Sequence, residues 1–151
     1  MKESPHSSSL RSHRLSDRPE TFFVTKSLHP KKPVLNKETR DIVVSAFAFA
    51  VEQKRIYLRA FVVMPDHWHA LFALTEDWTL PKFIHHMMSF VGARTVEHLQ
   101  ASRTHWQEGY YDTLVKTARQ FEFVAYYIEQ NPVANGLVQQ PDHWDASSVA
   151  R

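Results

Sequence analysis

Short apolar runs with a preference for β-structure alternate along the chain with longer amphipathic segments. Four of these runs predict strands, at residues 21–28, 56–64, 67–74 and 105–115, with the sequences TFFVTKSL, IYLRAFVVM, HWHALFAL and HWQEGYYDTLV. The second run is apolar at neighbouring positions and so on both faces, which is typical of a central strand.

Two longer segments predict helices between these strands. The segment at residues 36–55 begins at a predicted N-cap, Asn36, and carries an apolar stripe at helical spacing formed by Val43, Phe47, Ala50 and Val51. A second helix is predicted from about Leu80 to Leu99, with Pro81 in the first turn, where proline is tolerated.

A third helix is predicted after the last strand. Thr117 and Gln120 have the spacing of a capping box, and the helix is expected to end near Asn131-Pro132. The element order is therefore β-α-β-β-α-β followed by a helix. This order predicts an α+β fold of the ferredoxin-like split β-α-β type, with a four-stranded antiparallel sheet, helices on one face and an additional C-terminal helix.

Length and composition predict a single folded domain. A chain of 151 residues with 43% hydrophobic residues can bury one core. We assign residues 21–151 to that domain. Residues 1–20 contain six serines and few large apolar side chains, and they predict a flexible N-terminal arm.

Several classes of protein are excluded by what the sequence lacks. There is no cysteine, which excludes disulfides, thiolate zinc sites and cysteine nucleophiles, and three glycines are too few for a glycine-rich phosphate loop. No apolar run is long enough to predict a membrane span or a secretory signal, so we expect a cytoplasmic, nucleoid-associated protein without a membrane partner. A net charge of +2 permits binding to nucleic acid without requiring it.

Ten histidines are the unusual feature of the composition, and two of them form a His-x-His pair within a predicted strand. Side chains alternate along a strand, so His67 and His69 face the same side and Trp68 faces the other. Two imidazoles at this spacing can bind one divalent metal ion. The alternative is a surface-facing pair on a half-exposed sheet, with Trp68 in the core.

The third helix carries two neighbouring tyrosines beside its predicted buried stripe. Tyr127 lies one turn before Asn131, on a flank of that stripe, and this is the arrangement expected of a nucleophile beside an amide metal ligand. Tyr126 has the same relation to Gln130 but turns further from the core. Spacing alone does not choose between the two tyrosines.

Four segments together resemble the HUH single-tyrosine transposases. FVVMPDHWHALFAL resembles the VVMPNHxHLL strand of that family, WQEGYYD the WQxxYxD strand, YIEQNPVANGLV the YIxxNPVRAGLV helix end, and HWDASS the C-terminal WxWSS motif. The motifs occur in the family's order and cover about Thr21 to Ser148. Within the family, the chain resembles the branch of REP-associated tyrosine transposases.

The resemblance implies roles for four residues and a reaction. His67 and His69 are implied as metal ligands, Asn131 as the third ligand, and Tyr127 as the nucleophile. The implied reaction is the cleavage and rejoining of single-stranded hairpin DNA with Mg²⁺ or Mn²⁺, through a 5′-phosphotyrosine intermediate. The expected partner is single-stranded DNA with palindromic hairpins, and the protein is expected to be a monomer or a homodimer.

Basic and aromatic side chains predict contacts to the DNA backbone and bases. The candidates are Lys26, Arg55, Arg59, Lys82, Arg94, Trp106, Lys116 and Arg119.

Two other functions are compatible with the same sequence. One is a domesticated DNA-binding protein without catalysis, because Ala134 stands where relatives usually have a basic residue. The other is a metal hydrolase that uses the histidine pair and an activated water.

Overall fold

The computed structural model describes residues 19–98 and 105–151. The predicted arm, residues 1–20, lies outside the described residues except for its last two positions. The described elements are β1 (Thr21–Ser27), α1 (Lys37–Glu52), β2 (Ile56–Val63), β3 (His67–Leu74), α2 (Leu80–His98), β4 (Tyr111–Val115) and α3 (Ala118–Ala134), followed by two 3₁₀ turns (Pro141–His143 and Ser148–Ala150). None of the described helices combines the length and the apolar run needed to cross a bilayer.

The four strands form one sheet in the order β2-β3-β1-β4, and every neighbouring pair is antiparallel. Because β1 and β3 occupy the centre, each connection through a helix crosses one strand. This is the split β-α-β topology, and the predicted fold class is confirmed.

Helices cover both faces of the sheet. The crossover helices α1 and α2 pack on one face, where the fully buried side chains include Phe47, Trp68, Phe72 and Phe83. Helix α3 packs on the other face, where Ala125 and Ile128 contact a smaller cluster of apolar strand residues. Both crossover helices therefore share one face, as the topology requires, and the helix that carries the tyrosines lies opposite them.

A β-bulge in β2 changes which side chains face α3. The pairing with β3 shifts between Leu58 and Ala60, so Arg59 is the additional residue. Beyond the bulge, Ala60 and Val62 join the α3 cluster, while Phe61 and Val63 join the α1/α2 core. Bulges redirect side chains and often lie near functional sites.

The C-terminal segment covers the outer edge of β2. Val63 N–H donates to Ala146 O at 2.8 Å, Phe61 N–H donates to Ser148 Oγ at 3.0 Å, and Trp144 Nε1–H donates to Val63 O at 2.9 Å. These bonds satisfy backbone groups that an open edge strand would leave exposed. The HWDASS motif therefore has a structural role in this fold.

Three element boundaries differ by more than one residue from those predicted. Helix α1 ends at Glu52, before a turn in which Lys54 has φ 58°, and Val51 at its end is 44% exposed instead of buried. Strand β4 begins at Tyr111 because Gly109, with φ 75°, turns the chain just before it. Helix α3 continues past Pro132 to Ala134, since a proline in the last turn removes only one helical hydrogen bond.

Candidate active site

His67 and His69 lie on the face of β3 that is covered by α3, and Trp68 is fully buried on the opposite face. The Nε2 atoms of the two histidines are 3.1 Å apart, so the rings converge on one point. Each Nδ1 atom has a partner: His67 Nδ1 lies 2.7 Å from Asp66 Oδ1, and His69 Nδ1 lies 2.7 Å from Thr25 Oγ1. The strand alternation predicted for the pair is confirmed.

These partners limit where the imidazole protons can lie. A carboxylate only accepts hydrogen bonds, so neutral His67 donates its Nδ1–H to Asp66 and carries a lone pair on Nε2. His69 can donate Nε2–H to that lone pair while the Thr25 hydroxyl donates to its Nδ1. With its Nδ1–H donated to Thr25 instead, His69 presents a second lone pair beside that of His67. Thr25 can serve both tautomers because a hydroxyl both donates and accepts.

His69 remains neutral in this environment. It is 7% exposed, and its burial, together with the neighbouring His67, lowers the pKa of His69 to about 3. Burial favours the neutral imidazole because the charged form loses its hydration. A neutral imidazole is the form that binds a metal ion.

Tyr127 on α3 lies directly against this pair. The centroid of its ring is 5.6 Å from that of His69 and 6.0 Å from that of Phe23, and both contacts are edge-to-face. Tyr127 is 44% exposed, so its ring is packed on one side and open to solvent on the other. Tyr126 is 63% exposed and lies one helical position further round. Of the two tyrosines that the sequence left open, Tyr127 makes the contact with His69.

Asn131 is buried near the end of α3, one turn after Tyr127, with 4% of its surface exposed. The side-chain amide of Asn135 donates to Asn131 O at 2.9 Å and lies 3.4 Å from Asn131 Oδ1. Asn135 is the cap residue of α3. The helix cap thus helps to hold the buried amide.

The geometry of the histidine pair fits a shared metal ion. Two ligands at right angles around one ion, each about 2.1 Å from it, have donor atoms about 3 Å apart, and the two Nε2 atoms are 3.1 Å apart. Among the described residues, no group of three or more His, Asp or Glu side chains could hold a metal ion. Side chains of these three types therefore supply no third ligand among the described residues, and the role of Asn131 as the third ligand stays a prediction.

A cavity of about 570 Å³ opens beside His69 and Tyr127, between α3 and strands β1 and β4. Its other lining residues are Phe23, Thr25, Tyr111, Thr113, Val115, Gln120, Phe123 and Val124. Tyr127, the candidate nucleophile, and His69, a candidate metal ligand, therefore both line this cavity.

Two predicted DNA contacts are corrected by their burial. Lys26 is 7% exposed, and its Nζ donates to Gln107 O and, at 2.8 Å, to Gly109 O. The loss of hydration lowers the pKa of Lys26. Trp106 is 5% exposed within the α1/α2 core. We therefore assign Lys26 to holding the loop before β4, and Trp106 to packing.

Three further candidates lie on the α1/α2 layer, away from the histidine pair. The Arg55 guanidinium stacks 4.6 Å from the centroid of Trp78, Lys82 Nζ lies 4.4 Å from the same ring, and Arg94 lies 3.4 Å from that of Phe90. These cations have aromatic partners within the protein.

The last three candidates lie near α3. Arg59, at the bulge, pairs with Glu129 at 3.3 Å and Glu122 at 3.8 Å, both on α3. Lys116 and Arg119 are exposed at the junction of β4 and α3. Arg59 thus links the bulged strand to the tyrosine helix. The two exposed cations at the junction are adjacent in the chain to Val115 and Gln120, which line the cavity.

Sequence reasoning missed the partners that orient the histidines. Asp66 precedes His67 and could have been considered as its partner. Thr25 belongs to another strand, and only the pairing of β1 with β3 places it opposite His69.

Comparisons with known proteins give a family match and a curated relative. Residues 22–131 match the model of the family described as "Transposase IS200 like". A REP-associated tyrosine transposase of Escherichia coli (strain K12) is 23% identical over 133 residues, which are 87% of this chain and 77% of the relative.

Two solved structures share the fold. One is a REP-associated tyrosine transposase bound to a REP hairpin, with a TM-score of 0.75, 20% identity, and coverage of 100% of this chain and 84% of the other. The second is a candidate transposase of Deinococcus radiodurans R1, with a TM-score of 0.56, 20% identity, and coverage of 83% of this chain and 95% of the other.

Proposed function

The chain belongs to the family of IS200-like transposases, and we propose that it cleaves and rejoins single-stranded DNA through a covalent bond to Tyr127. The observation that carries this proposal is the contact between Tyr127 and His69, whose ring centroids are 5.6 Å apart. A phenol beside two converging imidazoles combines a nucleophile with a place for a metal ion. The substrate that we propose is DNA with palindromic hairpins, because the solved relative is bound to a REP hairpin.

In the proposed reaction, the Tyr127 oxygen attacks the phosphorus of a phosphodiester. A bond forms between phosphorus and the phenol oxygen, and the bond to the 3′-oxygen breaks. The phenol proton passes to water and the leaving 3′-oxygen gains a proton. The product is a 5′-phosphotyrosine and a free 3′-hydroxyl. Attack by a second 3′-hydroxyl reverses the exchange and joins two strands without ATP, because one phosphate ester replaces another.

The chain's own residues position the reacting groups. The edge-to-face contacts of Tyr127 with Phe23 and His69 restrict its ring, while the residue stays 44% exposed and so can be reached by a strand of DNA. Asp66 and Thr25 hold the Nδ1 atoms of His67 and His69, so both Nε2 atoms point at the same place. An oriented phenol and two oriented imidazoles reduce the rearrangement needed when the phosphate arrives.

We propose that His67, His69 and Asn131 hold Mg²⁺ or Mn²⁺ in the working enzyme. When bound there, the ion supplies positive charge against the phosphate oxygens that gain charge during attack. Two imidazoles and one amide leave other positions free for phosphate and water, which suits a catalytic site better than a closed structural one.

Tyr127→Phe tests the proposed function. The change removes the hydroxyl and keeps the ring contacts, so binding to hairpin DNA should remain within a few-fold of wild type while the covalent protein–DNA adduct disappears. Tyr126→Phe is the matched control and should still form the adduct. Mass spectrometry of the trapped peptide between Arg119 and Arg151 identifies the modified residue. A nucleotide on Tyr126 contradicts the assignment, and binding without an adduct in the wild type indicates a DNA-binding protein without catalysis.

A further inference from the structure

We propose that the cavity between α3 and strands β1 and β4 binds an unpaired nucleobase of the DNA strand that is held at Tyr127. The inference rests on the proposed function and adds to it a subsite that senses bases instead of phosphates. The cavity lies directly beside the proposed reaction site, because Tyr127 and His69 form one of its walls. A strand whose phosphate lies at Tyr127 must place the adjacent nucleotide close to this opening.

The size of the cavity suits a ligand group. Its volume of about 570 Å³ lies within the range of roughly 300–1,000 Å³ that is typical of small-molecule sites. Packing defects inside a protein core are much smaller than this. The floor is formed by side chains that are 9% exposed, Phe23 and Val115, so the cavity has a solid apolar base.

The rim of the cavity carries exposed aromatic rings. Phe123 on α3 is 68% exposed, and Tyr111 on β4 is 44% exposed. Most large apolar side chains in the described part of the chain are buried. Phe123 is not, so its position contributes little to folding. Flat faces of this kind stack with nucleobases, and such stacking tolerates different bases because every base has a π-face.

The side-chain amide of Gln120 can form a hydrogen bond with the edge of a bound base. Gln120 Oε1 accepts hydrogen bonds from Lys116 N–H at 2.8 Å and Thr117 N–H at 3.2 Å, which fixes its amide. The oxygen is thereby engaged, and the NH₂ group is the part of the amide left to serve a ligand. A donor at this wall favours a base edge that presents a carbonyl oxygen or a ring nitrogen.

The surrounding charge favours a strand of nucleic acid over an apolar partner. Lys116 and Arg119 are exposed at the β4–α3 junction, and each is adjacent in the chain to a lining residue, Val115 or Gln120. A groove that combines aromatic faces with neighbouring cations is typical of single-strand binding sites.

The test compares a strand with bases and a strand without them. An oligothymidylate of about 15 nucleotides and an abasic strand of the same length have the same backbone charge and differ only in their bases. Affinities for both are measured by fluorescence anisotropy with protein that carries Tyr127→Phe, which prevents cleavage. With the other lining residues unchanged, this protein should bind the oligothymidylate about tenfold more tightly than the abasic strand.

Phe123→Ala should reduce this preference several-fold and leave affinity for the abasic strand unchanged. Tyr126→Ala is the matched control: Tyr126 is 63% exposed on the same helix, does not line the cavity, and should keep the preference. The methyl resonances of Val115 and Val124 should shift with the oligothymidylate but not with the abasic strand. Those of Val43, in the α1/α2 core, should stay in place and report that the fold is intact.

Two results overturn the inference. One is an unchanged preference in Phe123→Ala, and the other is an equal loss of affinity for both strands. If the wild type forms the Tyr127 adduct but Tyr127→Phe protein binds both strands equally, the subsite is wrong and the proposed function stands. If Tyr127→Phe protein binds neither strand and the wild type forms no adduct with hairpin DNA, both proposals fail.

Discussion

Thr25 faces His69 across the pairing of β1 with β3, and its hydroxyl oxygen lies 2.7 Å from His69 Nδ1. Through this contact, a residue of the central strand β1 helps to orient the buried imidazole of His69. A hydroxyl at this position keeps His69 Nε2 directed at His67 Nε2. The proposed metal site therefore depends on a residue that is not itself a ligand.

Thr25→Val removes that hydroxyl and keeps the shape of the side chain. We expect Mn²⁺ affinity and the rate of adduct formation to fall by about 10–100-fold, the usual effect of losing a group that orients a ligand. Isothermal titration with Mn²⁺ and single-turnover cleavage measure the two quantities. Thr21→Val, at the start of the same strand, is the control. Equal metal affinity in both variants contradicts the role of Thr25.

His67→Ala removes one proposed ligand and should abolish adduct formation in Mg²⁺. The side chain of His67 is 23% exposed, so its loss should change the melting temperature by only a few degrees. His69 is a less clean test because it is buried against Phe23 and Tyr127, and His69→Ala would also leave a void. His86→Ala, on the exposed side of α2, is the control. Cleavage at the wild-type rate by His67→Ala would exclude this metal site.

Arg59 and the cations at the β4–α3 junction should differ in their effect on DNA binding. Arg59 pairs with Glu122 and Glu129, so Arg59→Gln should lower the free energy of unfolding by about 1 kcal/mol or less and change DNA affinity less than twofold. Lys116→Gln with Arg119→Gln should reduce the slope of log K against log salt by about 0.7 for each phosphate that is no longer neutralised. Binding at several salt concentrations separates the two cases. A large change in the slope of log K against log salt in Arg59→Gln would show that Arg59 contacts the DNA.

Tyr110 gives the protein a specific sensitivity to high pH. Burial, with a smaller contribution from Asp112, raises the pKa of Tyr110 to about 12 from the ordinary value of 10.0. Between these two values the unfolded chain loses the phenol proton while the folded protein keeps it. The free energy of unfolding should therefore be unaffected by Tyr110 below about pH 10 and should fall as the pH rises towards 12.

Tyr110→Phe removes this titration and keeps the ring. Its free energy of unfolding, measured by urea denaturation across the same interval, should fall less steeply with pH than that of the wild type. Tyr57→Phe, which alters a 62% exposed tyrosine on β2, should retain the wild-type slope. Identical slopes for the wild type and Tyr110→Phe would refute the prediction.

Local pattern in the sequence determined the elements and the direction of several side chains. Strand alternation alone places His67 and His69 on one face and Trp68 on the other, because it depends only on the backbone of β3. Helical periodicity likewise places Tyr127 closer than Tyr126 to the buried stripe of Ala125 and Ile128. The resemblance to HUH transposases added roles for these residues, which periodicity does not contain.

Tertiary structure alone decided which elements meet. Thr25 reaches His69 through the register of two strands that are distant in the chain, and no local pattern encodes that register. Lys26 is buried because the segment that contains Gln107 and Gly109 folds over it and supplies two carbonyl groups. A hydrophobic pattern reports that a face is buried, but the partner that buries it is chosen by the packing of the whole chain. For the same reason, the cavity beside Tyr127 exists only where α3 crosses β1 and β4.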